Sequence, residues 1–357
     1  MGCLVAFRQL SKRLIRSDLA LETDANAAGM PNEPRPMTTT APNGQAAATH
    51  GHAVTGRWTE NSLVEAFRFA AICPVFALSF QLSLFFGKEA LRLDRRTRLT
   101  PGFEWARFMS KTVMRSRLKL APGSSTICRD RRTVYLSNHR AWSDFFLDMY
   151  ATEGKAFTMS RMLVAYAFPL FMVPAMYCGA VFGFKRDSGD KEKLNSSLDA
   201  HFETFGGYNG IVIYPEGTRN VREHSLPLKR GMLRYAHSRK LAVQVMMTAR
   251  KEKVFSSHLV CANRNVALPI HFGEVIRAED YPDFEDFYNE IRARWDDGWC
   301  AVNGVSEAEA EKLPDYVPHE RPARCDTRHD ISTIGGVLVS VFAVALTYRA
   351  LTRAYEY

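Results

Sequence analysis

Hydrophobic positions along the chain form three long uncharged segments, at residues 69–87, 162–184 and 331–348. The first and last are 19 and 18 residues long, and helices of about that length cross a bilayer. We predict both as membrane segments, although a hairpin that enters one leaflet is the alternative for the first. Basic residues follow residue 87 closely. The positive-inside rule therefore predicts that the next part of the chain faces the cytosol.

The middle segment, 162–184, is as apolar as the other two but carries Pro169 and Pro174, which interrupt a helix. It ends in a strand-like stretch at 180–182. A membrane span here would also separate two polar motifs, at 137–144 and 214–219, whose side chains suit one common site. We therefore predict a buried helix followed by a strand in this segment.

Shorter patterns alternate between strand and helix along the rest of the chain. Strands are predicted at 133–136, 210–214, 241–248 and 266–276, and helices at 101–120, 190–205, 229–240 and 284–295. Such alternation predicts an α/β fold with a mixed, largely parallel sheet flanked by helices. The N-terminal and C-terminal membrane segments complete the predicted architecture.

The composition divides the chain into four regions. Residues 1–56 combine a basic N-terminus with a linker that is poor in large apolar residues and is predicted to be disordered. Acylation of Gly2 and Cys3, a transit peptide and a plain basic tail are all compatible with its start. Residues 57–99 hold the first membrane segment, 100–320 the catalytic domain and 321–357 a C-terminal anchor.

The net charge indicates which partners the protein binds, and the cysteines indicate its redox environment. The formal net charge is +9, which favours anionic partners such as phosphorylated small molecules or a membrane surface. Neither zinc-finger spacing nor a single basic helix points to nucleic acid. The seven cysteines are scattered without a CxxC pair, which indicates reduced thiols. Cys325 and His329 lack further ligands nearby, so we predict no metal site.

Two polar motifs follow strand-like runs. In the first, His139 and Asp144 stand five positions apart, which suits a base and its orienting acid acting on a hydroxyl. The second is Glu216, Gly217, Thr218 and Arg219, where an arginine in a glycine-containing turn can bind a phosphate through two parallel bonds. Taken singly, the motifs are also compatible with helix caps and a surface ion pair.

Further basic residues widen the candidate anion site. Lys185 and Arg186 follow the strand-like stretch at 180–182, and Lys229 and Arg230 precede Gly231. A solvated basic edge or contact with anionic lipid is the alternative for each pair.

Together, the two motifs in this order resemble those of the glycerolipid acyltransferase family, which includes 1-acylglycerol-3-phosphate and other lysophospholipid acyltransferases. The family's Asn-His-x4-Asp corresponds to 138–144 and its Glu-Gly-Thr-Arg to 216–219. Gly179, Phe182 and Lys185 match an intermediate motif with lysine in place of arginine. A fourth motif, a Val-x-Pro strand, lacks its proline at 243–245. The resemblance covers about residues 120–280.

The resemblance implies an O-acyltransferase that moves a fatty acyl group from acyl-CoA, as co-substrate and without a cofactor, to a lysophospholipid hydroxyl. His139 would be the base and Asp144 its orienting acid, while Arg219 with Lys185 or Arg186 would hold the phosphate. Lysophosphatidic acid is the default acceptor, with lysophosphatidylinositol, lysocardiolipin and glycerol 3-phosphate as alternatives. The expected location is the endoplasmic reticulum membrane, with the outer mitochondrial membrane second. A CoA-independent transacylase and a catalytically silent lipid-binding protein are competing hypotheses.

Overall fold

The computed structural model describes residues 60–86, 101–185 and 191–319. The predicted linker at 1–56, the basic residues after 87, Arg186 and the apolar segment 331–348 lie outside these ranges. The contacts within the chain divide it into two units, Met1–Val64 and Glu65–Tyr357. The structure describes only the last residues of the first unit, from Glu60, where a helix begins. The fold below belongs to the unit that begins at Glu65.

The strands of this unit are short, and most are fully buried. They are β1 Arg117–Leu120, β2 Thr133–Ser137, β3 Ala156–Arg161, β4 Val181–Phe184, β5 Gly210–Ile213, β6 Ala242–Thr248, β7 Phe255–Ser256, β8 Cys261–Ala262, β9 Ala267–Phe272 and β10 Ile276–Arg277. Within the described ranges, eight of them form one sheet in the order β1-β9-β6-β2-β5-β3-β4, with β10 beside β6. The strands β7 and β8 pair separately as an antiparallel hairpin.

The sheet is mixed and largely parallel, as predicted. The pairs β1–β9, β6–β2, β2–β5, β5–β3 and β3–β4 are parallel. Among the described strands of this sheet, β6 pairs antiparallel with β9 and with β10, so β1, which is parallel to β9, also runs opposite to β6. Parallel strands need crossover connections that are usually helical, and the alternation of strand and helix in the sequence supplies them.

Helices cover the sheet and connect its strands. They are α1 Glu60–Phe86, α2 Pro101–Arg107, α3 Asp144–Ala151, α4 Met162–Ala167, α5 Pro169–Tyr177, α6 Lys191–Thr204, α7 Gly231–Ser238, α8 Lys251–Val254, α9 Phe284–Asn303 and α10 Glu307–Lys312. A π-helical turn, Phe108–Val113, continues α2, and a 3-10 turn, Ala278–Asp280, precedes α9. Helix α9 buries Phe287, Ile291 and Trp295, which are spaced for one helix face.

Most predicted elements occur where the pattern placed them, but the segment 101–120 differs, and the predicted strand at 266–276 is divided into β9 and β10. The segment 101–120, predicted as one helix, is helical only to Val113 and ends as strand β1. Arg115 has a φ of +50°, a left-handed conformation that ends the helix before the chain enters the sheet. Strand β3 was not predicted, because Thr158 and Ser160 interrupt its apolar pattern although both are buried.

The segment 162–184 is the predicted combination of buried helix and strand. It forms α4, α5 and β4, and Pro169 stands at the first turn of α5, where its missing N–H costs no hydrogen bond. Phe171, Met172 and Ala175 of α5 are buried in the core. Several of the apolar residues that suggest a membrane span therefore fill the interior of the domain.

Helix α1 overlaps the first predicted membrane segment and contributes to the core of the domain. Its Phe76 and Phe80 are buried, and both rings pack against Trp105 of α2. The Trp105 indole N–H donates to Ser79 Oγ at 2.9 Å. Among the residues described, no helix combines the length and apolar character that a membrane span requires. The predicted spans thus lack structural support, and the domain boundaries stay predictions.

Candidate active site

Five neighbouring strands run parallel and end at one edge of the sheet, in the spatial order β6, β2, β5, β3, β4. Ligands of open α/β sheets bind outside the carboxyl ends of such strands. In the same spatial order, the chain at these ends carries Lys251, His139, the 214–219 motif, Arg161 and Lys185. The fold therefore gathers both sequence motifs at one edge.

His139 and Asp144 form a hydrogen-bonded pair just beyond β2. The distance between His139 Nδ1 and Asp144 Oδ2 is 2.6 Å. Asp144 is buried, whereas the His139 side chain is 26% exposed, so Nε2 is the ring nitrogen that a substrate can approach. An aspartate on one nitrogen fixes the tautomer and stabilises the cation formed when the other accepts a proton. The pair has the arrangement of a general base with its orienting acid.

The loop between β2 and α3 holds the carboxylate of Asp144 in place. Its Oδ2 also accepts from the backbone N–H of Arg140 at 2.7 Å and of Ala141 at 3.1 Å. The Asn138 side chain bonds both the N–H and the C=O of Thr248 at the end of β6. Asp144 also lies in the first turn of α3, where the helix dipole favours a negative charge. These interactions fix the carboxylate independently of any substrate.

A buried lysine lies behind the pair. Lys251 Nζ is 3.5 Å from Asp144 Oδ1 and 3.0 Å from Asp148 Oδ2. Burial by itself raises the pKa of the Asp144 carboxyl, but the charge of Lys251 and the hydrogen bond to His139 outweigh it, so this pKa lies below its ordinary value. Burial raises the pKa of Asp148 to about 6, although the charge of Lys251 opposes this. Asp144 is therefore the more readily ionised carboxyl.

Tyr214 connects the second motif to the first. Its ring stacks on His139 with centroids 4.4 Å apart and planes inclined by 22°. Its hydroxyl donates to Asp148 Oδ2 at 3.0 Å. Burial, reinforced by the negative charges of Asp148 and Asp144, raises the pKa of Tyr214 well above its ordinary value. The hydroxyl therefore keeps its proton, and the ring restricts one face of the imidazole.

Glu216 holds the loop of the second motif together. Its buried carboxylate accepts through Oε1 from Asn220 Nδ2 and from the Leu226 N–H, both at 2.7 Å. The Asn220 N–H donates to the His139 carbonyl at 2.7 Å, so this loop is tied directly to the base. Burial raises the pKa of Glu216, and those two hydrogen bonds oppose the shift. Within the described residues, Glu216 makes no bond to Arg219.

Basic side chains surround Gly217. This residue has a φ of +71°, and a Cβ built on it would lie 2.6 Å from Lys229 Cε. Glycine therefore provides both the left-handed turn and the space that the Lys229 side chain occupies. Arg161 Nη2 approaches the Gly217 carbonyl at 3.4 Å. Arg219 Nη1 lies 3.3 Å from Ser257 Oγ. Together, these side chains form a concentration of positive charge beside the loop.

Three predicted residues remain, of which two are described. Thr218 is half-buried next to Arg219, and Lys185 is exposed directly after β4. Arg186 lies outside the described residues. No cluster of three or more His, Cys, Asp and Glu side chains in the described part of the chain could hold a metal ion.

Two charged residues of this edge, Arg161 and Lys251, were not identified from the sequence. Arg161 ends β3, so a strand prediction at 156–161 would have placed it beside the second motif. Lys251 follows β6 among other basic residues, at 250–253, and that run has the pattern of a solvated surface. Only the tertiary structure shows that the Lys251 side chain is buried.

Comparison with known proteins assigns a class to this domain. Residues 121–247 match the family model described as Acyltransferase. The match confirms the predicted resemblance to the glycerolipid acyltransferases over this domain, and it supports an O-acyltransferase activity. The match includes both motifs and Lys229 but ends before Lys251.

A solved structure shares the fold. It is the crystal structure of the 1-acyl-sn-glycerophosphate (LPA) acyltransferase, PlsC, from Thermotoga maritima, with a TM-score of 0.53 and 16% sequence identity. The alignment covers 67% of this chain and 95% of that chain. No curated protein sequence matches this chain significantly.

Proposed function

We propose that this enzyme transfers a fatty acyl group from acyl-CoA to the free hydroxyl of a lysophospholipid. The proposed acceptor is 1-acyl-sn-glycerol 3-phosphate, which would give phosphatidic acid. The observation that carries the proposal is the 2.6 Å His139–Asp144 hydrogen bond at the edge that also bears Arg219. The similarity of the fold to that of PlsC, a 1-acyl-sn-glycerophosphate acyltransferase, supports this acceptor.

In the proposed reaction, His139 acts as the general base and later as the general acid. Nε2 accepts the proton of the acceptor hydroxyl while the hydroxyl oxygen attacks the thioester carbonyl. The new C–O ester bond forms and the C–S bond breaks. The imidazolium then returns its proton to the CoA thiolate. Asp144 stabilises the transient imidazolium. Because the acceptor hydroxyl attacks the thioester directly, the proposed transfer forms no covalent acyl-enzyme.

The basic side chains beside Gly217 would bind the phosphate of the acceptor. Arg219 offers a planar guanidinium that bonds two phosphate oxygens at once. Arg161 and Lys229 flank the same loop and add positive charge. We assign Lys185 to the outer part of this surface, and Arg186 follows it directly in the sequence. The net charge of +9 also favours anionic partners.

We further propose that the enzyme acts at a membrane surface, because its acceptor and its product are lipids. Large apolar side chains are exposed on α4 and at the end of α5, where Leu163 is 53%, Tyr166 73% and Tyr177 48% exposed. The apolar segment 331–348 supports the same idea. The endoplasmic reticulum, with the catalytic domain facing the cytosol, is the proposed location and the outer mitochondrial membrane the second choice.

An assay on membranes that contain the full chain tests the proposed function. A panel of lysophosphatidic acid, lysophosphatidylinositol, lysocardiolipin and glycerol 3-phosphate would be combined with several acyl-CoAs. Acyl transfer to lysophosphatidic acid that depends on acyl-CoA is the expected result. Transfer that proceeds from a phospholipid donor without CoA thioester would instead establish a transacylase. The absence of transfer to every acceptor would favour a lipid-binding protein and overturn the proposal.

A further inference from the structure

Lys251 is a charged side chain buried behind the catalytic pair. It begins the short helix α8, and its side chain has no exposed surface. Burying an ammonium group is costly unless it is paired and hydrogen-bonded. Its position three residues after β6 brings it to the same edge as His139, although the family match ends before it.

The Lys251 ammonium is fully engaged. Nζ lies 2.5 Å from the Asn138 carbonyl, 3.2 Å from Ser137 Oγ and 3.0 Å from Asp148 Oδ2. It completes an ion pair with Asp144 Oδ1 at 3.5 Å, an oxygen that has no hydrogen-bond partner of its own. The two oxygens of Asp144 are thus divided between His139 on one side and Lys251 on the other.

Lys251 sets the net charge of the buried cluster that it forms with Asp144 and Asp148. With both carboxyls ionised, Asp144 and Asp148 contribute two negative charges and Lys251 one positive charge. The buried cluster then carries a net charge of −1. When His139 accepts a proton, the cluster and the imidazolium become neutral together. Without Lys251 the same two carboxylates would face each other unpaired, and a neighbouring like charge favours protonation.

We propose that Lys251 is a positioning residue that acts through Asp144: its ammonium keeps this carboxylate ionised and oriented, and shares its charge with Asp148. The proposal deepens the proposed function, since it concerns the base of that reaction. Lys251 does not touch substrate, because its side chain is enclosed.

The charged and titratable groups around Lys251 come from the β2–α3 region, from the end of β5 and from α8 itself. The β2–α3 region supplies His139, Asp144 and Asp148, while β5 leads into Tyr214, whose ring centroid is 5.8 Å from Nζ. The next ion pair joins Arg140 to Glu252, the residue after Lys251, at 2.9 Å. A change in this cluster is therefore expected to alter proton binding at His139.

The test compares Lys251→Met, Asp148→Asn and the double variant with wild type, in the full chain. Removing the buried cation raises the proton affinity of every nearby group. In Lys251→Met we therefore expect the acid limb of kcat/KM to move to higher pH by about one unit or more. Adding Asp148→Asn removes one negative charge as well and restores the net charge of −1. We expect the double variant to recover activity and to return the acid limb toward that of wild type.

A second readout does not require the substrate to be known. Diethyl pyrocarbonate modifies neutral imidazole, so its rate of reaction at His139, followed by mass spectrometry against pH, reports the same proton binding. This profile should shift as the acid limb does. The modification assay tests this inference, whereas the acyl-transfer assay of wild type tests the proposed function, so a failure of one can be told from a failure of the other. Lys253→Met is the matched control, because that lysine is 47% exposed and pairs only with Glu307 among the described residues.

An unchanged acid limb in Lys251→Met, or a double variant no better than the single one, would overturn the proposal in favour of a purely structural lysine. If Lys251→Met fails to fold, Asp148→Asn decides alone. The Asp148→Asn substitution leaves the Lys251 ammonium in an ion pair with Asp144 only. The pH profile of diethyl pyrocarbonate modification at His139 should therefore move to lower pH. A profile identical to that of wild type in this variant would contradict the proposal.

Discussion

The substitution Asp144→Asn tests the electrostatic part of the mechanism. Asp144 Oδ2 accepts from His139 Nδ1 at 2.6 Å and from the backbone N–H of Arg140 and Ala141. Asparagine has nearly the same shape, and its single oxygen can keep the two backbone bonds. What it loses is the negative charge that faces the imidazolium. We therefore expect the variant to fold and bind its substrates with little change in KM.

The loss in rate follows from the separation of the two charges. An imidazolium and a carboxylate about 4 Å apart attract each other by about 4 kcal/mol at an effective dielectric constant of about 20. Each 1.36 kcal/mol corresponds to about a tenfold change in rate, so kcat should fall by about 10³-fold. The corresponding change in the serine protease triad lowers kcat by about 10⁴-fold, which is comparable.

Steady-state kinetics of acyl transfer measure this loss, with a thermal melt to confirm folding. Asp296→Asn is the matched control, because Asp296 is half-exposed and pairs only with Arg292 on the same helix among the described residues. A fall in kcat of less than tenfold in Asp144→Asn would refute the role of the buried charge. A large rise in KM with an unchanged kcat would do the same.

Two further changes test the phosphate site and the docking of α1. Arg219→Lys should raise the KM for the phosphorylated acceptor about tenfold and leave that for acyl-CoA unchanged, because lysine cannot form two parallel bonds; initial rates measure this, and equal KM values would remove Arg219 from the phosphate site. Trp105→Ala should lower the free energy of unfolding by about 3 kcal/mol or more, since the buried ring packs on Phe76 and Phe80. Urea denaturation measures this loss, and one below about 1 kcal/mol would contradict the described packing.

The sequence was sufficient to predict the main architecture because strands and helices alternate with clear periodicity. The strand that ends in Ile213 is uniformly apolar, and Gly217 and Arg219 follow it in a turn. Pro169 separates α4 from α5 as predicted, whereas the predicted break at Pro174 is wrong, because this residue lies inside α5. In the other cases local chemistry and tertiary structure agree.

The features that were not predicted from the sequence depend on tertiary contacts, which leave no local sequence pattern. Strand β3 contains Thr158 and Ser160, and it is stable because neighbouring parallel strands satisfy its backbone. Burial of Lys251 depends on Asp148, which is 103 residues away in the sequence. A lysine among basic residues has the same sequence pattern whether it is solvated or enclosed. The pairing of His139 with Asp144 was predictable, but the buried charge of Lys251 beside it was not.

The comparison of His139→Ala with wild type, both in membranes supplied with acyl-CoA and lysophosphatidic acid, tests the central claim most directly. His319→Ala is a suitable control, because that residue is exposed and is not part of the candidate site. The account predicts that wild type forms phosphatidic acid and that His139→Ala, while still folded, is slower by at least about 10²-fold. Equal rates in the two proteins would contradict a mechanism in which His139 removes the proton.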